Sequence, residues 1–159
     1  MNSRVGQGID IHKLDNGTPL IVGGVLIPSD KGSIGHSDGD VLYHAIVDAL
    51  LGALSLGDIG QHFPSSDMQW KDASSSLFIE HTYKLVQNKG FQINNMDATI
   101  ILQKPQLTEY IQEIKSNISN LLFVDREYIS IKATTADYLG FTGRGDGIAA
   151  SATVLLIEV

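Results

Sequence analysis

Asp10 and His12 stand two residues apart in Gly6-Gln7-Gly8-Ile9-Asp10-Ile11-His12, and His44 lies further along in an apolar stretch. Residues two apart on a strand point to the same face, so this carboxylate and imidazole share one side. With His44 they look like a set of three zinc ligands. Three protein ligands leave a fourth position open for substrate, whereas structural zinc is closed by four. The other face of the stretch carries Val5, Ile9 and Ile11, interrupted by Gln7. That alternation predicts a half-buried strand with a polar working edge. An Asp-x-His pair by itself is a weak signal; His44 gives it force.

The helix that must deliver His44 is predicted over 38–54, with Ser37 or Asp38 as N-cap and Asp40 completing a capping-box pattern. It is apolar on almost every side, which predicts burial. Asp40, His44 and Asp48 nonetheless recur at a spacing of four. Burying three ionisable groups without partners would be costly. They either form an internal polar network or line a site, with His44 as ligand and Asp40 or Asp48 orienting it.

Two further segments suggest phosphate handling. Lys132-Ala133-Thr134-Thr135-Ala136-Asp137 closes a strand and is expected to open a helical turn. Hydroxyls and free backbone N–H groups there form an anion site, with Asp137 able to hold magnesium between phosphate oxygens; the plainer reading is a helix cap. Gly140-Phe141-Thr142-Gly143-Arg144-Gly145-Asp146-Gly147 is neither a Walker loop nor a dinucleotide fingerprint. Arg144 can grip phosphate bidentately, or the stretch is a glycine-rich turn with one exposed Arg.

The whole chain narrows these options. At 159 residues one domain over 1–159 is expected. Without cysteine, a transition metal must be held by His and carboxylate. Eleven basic against eighteen acidic residues, net −7, argue against a nucleic-acid surface. No apolar run reaches transmembrane length and the start lacks a signal-peptide pattern, so no membrane association is expected. Strands are predicted at 3–12, 20–28 (bent at Gly23-Gly24), 91–103 (bent at Asn94-Asn95), 128–132 and 148–159. Helices are predicted at 38–54, 72–89 and 107–121, with a helical turn at 137–139 and loops at 57–67 and 140–147. The helix at 72–89 would rest on Leu77, Phe78, Leu85 and Val86, with His81 packed in the same stripe. The pattern predicts an α+β fold, a mixed or antiparallel sheet with helices packed on one face.

Taken together, Arg4-Val5-Gly6-Gln7-Gly8-Ile9-Asp10-Ile11-His12, His36-Ser37-Asp38-Gly39-Asp40 with His44, Gly57-Asp58-Ile59-Gly60 with Phe63-Pro64, and Lys132-Ala133-Thr134-Thr135 with Gly140-Phe141-Thr142-Gly143-Arg144-Gly145 resemble the 2-C-methyl-D-erythritol 2,4-cyclodiphosphate synthase family of the non-mevalonate isoprenoid pathway. The resemblance implies a homotrimer with active sites between subunits. It implies cyclisation of 4-diphosphocytidyl-2-C-methyl-D-erythritol 2-phosphate: the 2-phosphate attacks the β-phosphorus and CMP leaves. It also implies zinc at Asp10, His12 and His44, and magnesium or manganese between the phosphates near Asp137. His36 and Thr135 would assist the transition state. Ser37 would contact the substrate, Asp58, Ile59 and Gly60 would hold its methylerythritol part with Phe63 and Asp67 nearby, and the loop with Leu102, Gln103, Pro105 and Thr108 would hold the cytidine, largely through backbone groups. Thr134, Phe141 and Arg144 would complete the contacts.

Four positions depart from the family's usual residues: Gln7 for His, Ile9 for Phe, Gln106 for Lys and Asp137 for Glu. A zinc phosphohydrolase and a non-catalytic trimer that carries isoprenoid diphosphate are the alternatives. The expected setting is bacterial cytoplasm, or plastid stroma for a plant or algal source.

Overall fold

A computed structural model describes residues 2–159. In chain order the elements are β1 (Ser3–Asn16), β2 (Leu20–Val22), β3 (Val25–Ile27), β4 (Lys31–Ser33), α1 (Val41–Ala53), α2 (Ile59–His62), α3 (Ser76–Asn88), β5 (Phe91–Ile101), α4 (Ile111–Leu122), β6 (Ile129–Thr134), α5 (Gly140–Gly143) and β7 (Gly147–Glu158). Five strands form a sheet in the order β4-β1-β7-β5-β6, and β2 and β3 form a separate hairpin. Only β5 and β6 run parallel; the other neighbours are antiparallel. The expected α+β class and mixed sheet are what the chain adopts. The bend expected at Asn94-Asn95 is a register shift between Ile93 and Asn95.

The three long helices lie on one face. α1 rests on β1 and β7, α3 on β5, and α4 on β6. The core is where α1 meets the sheet: Leu42, Ile46, Leu50 and Leu51 are fully buried, each contributing about 1.5–3 kcal/mol through removal from water. α1 can sit this close because β1 offers it glycines. A Cβ at Gly6 would fall 1.8 Å from the Ala49 carbonyl oxygen.

That packing reverses one expectation. The face of β1 turned to the helix carries Gly6, Gly8, Asp10 and His12, while the apolar face is outside in the single chain. Val5, Ile9 and Ile11 are 67%, 57% and 55% exposed. The alternation is as read, but the glycine-and-ligand side is the one packed under the helix.

Several local expectations are also corrected. The N-cap of α1 is Asp40, whose side chain accepts from Tyr43 N–H, rather than Ser37 or Asp38. The buried stripe of α3 is Phe78, Ile79, Thr82, Tyr83 and Val86; Leu77 is exposed, and His81 lies at the surface with its edge toward Phe63. No helical turn forms at 137–139. Asp137 and Tyr138 both have positive φ, 53° and 62°, so the chain makes a left-handed turn. The single-turn helix comes later, as α5, inside the stretch read as a loop.

The topology gathers the remaining candidate segments. β1, β5 and β6 share a direction and β7 opposes them, so the ends of β1, β5 and β6 and the start of β7 lie at one edge of the sheet. The pairings Ile11–Ala149, Ala149–Ile101 and Ile101–Thr134 form one row across it.

Candidate metal centre and its surroundings

Near that edge Asp10 and His12 face α1, which lowers His44 onto them. His12 Nε2 lies 2.7 Å from Asp10 Oδ2, His44 Nδ1 lies 3.1 Å from the same oxygen, and the two nitrogens are 3.1 Å apart. Ligand atoms about 2.0–2.1 Å from a tetrahedral ion stand roughly 3.3 Å from each other, so the triangle is close to that of a bound metal. Its chemistry fits as well. His12 Nδ1 is 2.8 Å from the Ile34 carbonyl, which only accepts, so Nδ1 carries the proton and Nε2 is bare. Two acceptors, Asp10 Oδ2 and the bare Nε2 of neutral His12, thus meet at 2.7 Å, an arrangement that favours a cation or a proton between them.

The electrostatics follow from this convergence. Burial pushes the Asp10 carboxyl up, but the adjoining His12 and His44 imidazoles outweigh it and bring it to about 2. Burial pushes His12 down, yet its bond to Asp10 and that group's charge leave it above its ordinary 6.5. A proton therefore binds readily where a metal would.

Neither Asp40 nor Asp48 orients His44, contrary to expectation. The Asp40 carboxylate accepts from Gly23 N–H at 2.9 Å and Gly24 N–H at 2.8 Å, and from Tyr43 N–H at 3.2 Å. It ties the β2–β3 turn, where both glycines have positive φ, to the start of α1. Complete burial raises it to about 6 against the pull of those three amides. Asp48 accepts from Ile59 N–H at 2.7 Å and so holds the start of α2; burial raises its pKa as well. His44 is contacted instead by Ser75 and Ser37, whose Oγ atoms lie 2.9 Å and 3.0 Å from Nε2. Ser75 was missed. Its sequence signal, a serine run before a helix, marks a cap and says nothing of a distant histidine.

The other candidates fall into two groups. On the metal side, the segment of His36 and Ser37 is tied to the run before α3 through Asp72 N–H to the His36 carbonyl. Asp58 caps α2 by accepting from Gln61 N–H, with Ile59 and Gly60 in its first turn. Phe63 is buried, stacked on Phe78 at 4.4 Å between ring centroids, and Phe78 lies 5.9 Å from His44. Asp67 accepts from Gln69 N–H.

On the far side, Gln103, Pro105, Tyr138 and Arg144 with Lys31 line an open groove of about 1050 Å³, which does not include the metal triad. Leu102 is buried and donates its N–H to the Thr134 carbonyl, Thr108 is exposed, and Arg144 pairs with Asp146 at 2.9 Å. Phe141 is 41% exposed. The amides expected to be free for an anion are partly used. Asp137 N–H bonds Thr135 Oγ1 and Tyr138 N–H bonds Gln103 Oε1.

The Thr134–Thr135 segment stays apart from the triad within one chain. β1 and β6 are separated by β7 and β5, a distance of roughly 14 Å at the usual strand spacing. Thr134 also alternates with the buried Ile131 and so projects from the open face, opposite the triad.

An α+β scaffold that brings one carboxylate and two imidazoles together suits a divalent metal, and a set of three such ligands is the kind found in catalytic sites. Comparison with known proteins makes this particular. The chain belongs to the YgbB family, whose sequence profile matches residues 3–157. The 2-C-methyl-D-erythritol 2,4-cyclodiphosphate synthase of Geobacillus kaustophilus is 54% identical over 153 residues, spanning 96% of this chain and 97% of that one. The enzyme of the same name from Clostridium kluyveri is 56% identical over 153 residues, spanning 96% and 93%. Among solved structures, the Plasmodium falciparum IspF–CDP complex superposes with a TM-score of 0.87 at 38% identity, over 99% and 97% of the two chains. The bifunctional IspDF of Campylobacter jejuni superposes with a TM-score of 0.95 at 40% identity, over 99% of this chain but 43% of that longer one. Among the described residues, no helix is long and apolar enough to cross a membrane.

Proposed function

We propose that this chain cyclises 4-diphosphocytidyl-2-C-methyl-D-erythritol 2-phosphate to 2-C-methyl-D-erythritol 2,4-cyclodiphosphate, releasing CMP in non-mevalonate isoprenoid biosynthesis. The observation that carries the reading is the Asp10, His12 and His44 triangle in a chain more than half identical to synthases of that name. A 2-phosphate oxygen forms a bond to the β-phosphorus as the bond from that phosphorus to the CMP oxygen breaks. The nucleophile is part of the substrate and already ionised near neutral pH, so no side chain need remove its proton. The difficulty is charge, because two phosphate groups must approach. A zinc ion at the triad, with a second divalent ion near Asp137, would neutralise phosphate charge and polarise the reacting phosphorus when bound.

The chain's own residues do the rest. His36 and Thr135 donate to phosphate oxygens in the transition state. Ser37, Asp58, Ile59, Gly60, Phe63 and Asp67 form the methylerythritol side. Leu102, Gln103, Pro105 and Thr108 hold the cytidine, and Thr134, Phe141 and Arg144 border it. Solved relatives carrying CDP support a cytidine nucleotide as ligand.

The roughly 14 Å between β1 and β6 also supports assembly. One copy offers the metal half and a neighbouring copy the Thr135 half, and the exposed Val5, Ile9 and Ile11 face suits a contact between copies. A homotrimer with three shared sites is our reading, each copy a single domain. The bacterial sources of the curated relatives support a cytoplasmic setting. Metal content by mass spectrometry tests the reading together with CMP release before and after chelation. Activity lost on chelation and regained with zinc and magnesium is expected. CMP release that is indifferent to chelation would overturn it.

A further inference from the structure

Ser75 is the N-cap residue of α3, yet its hydroxyl caps nothing on that helix. Serine is favoured there because its oxygen accepts a first-turn N–H. This one is fully buried and turned the other way, with Oγ in hydrogen-bond contact with Asp38 Oδ1 and 2.9 Å from His44 Nε2. Asp38 Oδ2 also accepts Ser75 N–H at 3.0 Å. Asp38 N–H to the Ala73 carbonyl and Asp72 N–H to the His36 carbonyl tie the two segments together. A helix has given up a local cap, and a distant histidine gains a partner.

Counting protons gives this contact a direction. A carboxylate accepts only, so the single hydroxyl hydrogen of Ser75 goes to Asp38. Ser75 Oγ then offers lone pairs alone, and His44 must donate to it from Nε2. The bare nitrogen is therefore Nδ1, the atom 3.1 Å from Asp10 Oδ2. Ser37 Oγ, 3.0 Å from the same Nε2, makes no such choice, because its hydroxyl rotates to donate or accept.

We infer that Asp38 and Ser75 are positioning residues, a relay that fixes His44 in the Nε2–H tautomer and aims Nδ1 at the metal. The inference rests on reading Asp10, His12 and His44 as metal ligands. It also couples ligand geometry to the segment bearing His36 and Ser37, since Asp38 follows them directly.

The test uses the full chain with 15N-labelled histidine. Long-range proton–nitrogen spectra of the metal-free protein, above the histidine titration range, report the His44 tautomer. Zinc affinity is read by chelator competition. Thr82→Val is the control, because it removes another buried hydroxyl of α3, one with no hydrogen-bond partner among the described residues. Wild type and Thr82→Val should show a single Nε2–H form with equal zinc affinity. Ser75→Ala and Asp38→Asn should mix the tautomers and bind zinc about 10–100-fold more weakly, the usual loss when the group orienting a ligand is removed. If Ser75→Ala fails to fold, Asp38→Asn decides. Folded variants that keep the wild-type tautomer and bind zinc within about twofold of wild type would overturn the relay. A wild-type chain that binds no zinc would overturn the metal reading instead, while the metal-free spectrum still decides the relay.

Discussion

A side chain at Gly8 would collide with α1: its Cβ would lie 2.1 Å from the carbonyl oxygen of Ala45. Ala45 adjoins His44, so the missing side chain at position 8 sets how far His44 stands from the Asp10–His12 pair. Gly8→Ala should therefore lift the helix, destabilise the fold by about 1–3 kcal/mol or more, and weaken metal binding. Thermal melting and zinc titration of the same sample check both. An unchanged Tm with intact affinity would show that the helix has slack there.

Metal binding should depend on pH with a definite sign. Against burial, Asp10 holds His12 above its ordinary 6.5, so a proton competes with the metal at a higher pH than it would at a free imidazole. Affinity should fall as pH drops from about 8 to about 5, steepening to about tenfold per pH unit for one displaced proton below the raised His12 value. Asp10, at about 2, stays ionised and adds nothing in that window. The sign reverses for the metal-free fold. The His12–Asp10 pairing stabilises it most at low pH, and that increment is lost as pH rises through the elevated His12 value. Titration calorimetry across the window measures the first effect, and chelated-protein melting the second.

Asp40 is predicted to matter for stability and only indirectly for chemistry. Its carboxylate holds two turn amides and one helix amide while fully buried. Asp40→Ala removes the α1 cap and leaves the turn amides without partners, costing about 2–4 kcal/mol. Denaturant unfolding should show that loss. A loss under about 0.5 kcal/mol would mean that water replaces the carboxylate at little cost.

Sharing of the site between copies can be tested by complementation. His44→Ala and Thr135→Ala chains should each be inactive. Mixed after dissociation and reassembly, they should regain activity, because about a quarter of interfaces then join an intact metal half to an intact Thr135 half. No recovery from mixed assemblies would place both halves in one copy. Ile9→Arg, on the exposed face of β1, should shift the sedimentation coefficient toward the monomer.

The metal triad was legible in the sequence because strand alternation places Asp10 beside His12 whatever the tertiary packing. The bulge near Asn95 was legible too, and so was the class of fold. What escaped depends on contacts between distant segments. The spacing of Asp40, His44 and Asp48 along one helix suggested mutual support, but Asp40 reaches back to a hairpin and Asp48 forward to α2. Alternation in β1 gave two faces without saying which one α1 would cover; Gly6 and Gly8, too small to keep a helix away, decided it. Ser75 escaped because the bond that diverts it comes from Asp38, far away in the chain.

Cyclisation is tested most directly by running the reaction on 4-diphosphocytidyl-2-C-methyl-D-erythritol 2-phosphate in oxygen-18 water with zinc and magnesium, and weighing the products. CMP together with an unlabelled cyclic diphosphate is the predicted outcome, since the attacking oxygen comes from the substrate's own phosphate. A linear product carrying oxygen-18 would make the chain a phosphohydrolase, and the absence of CMP would contradict the proposed reaction altogether.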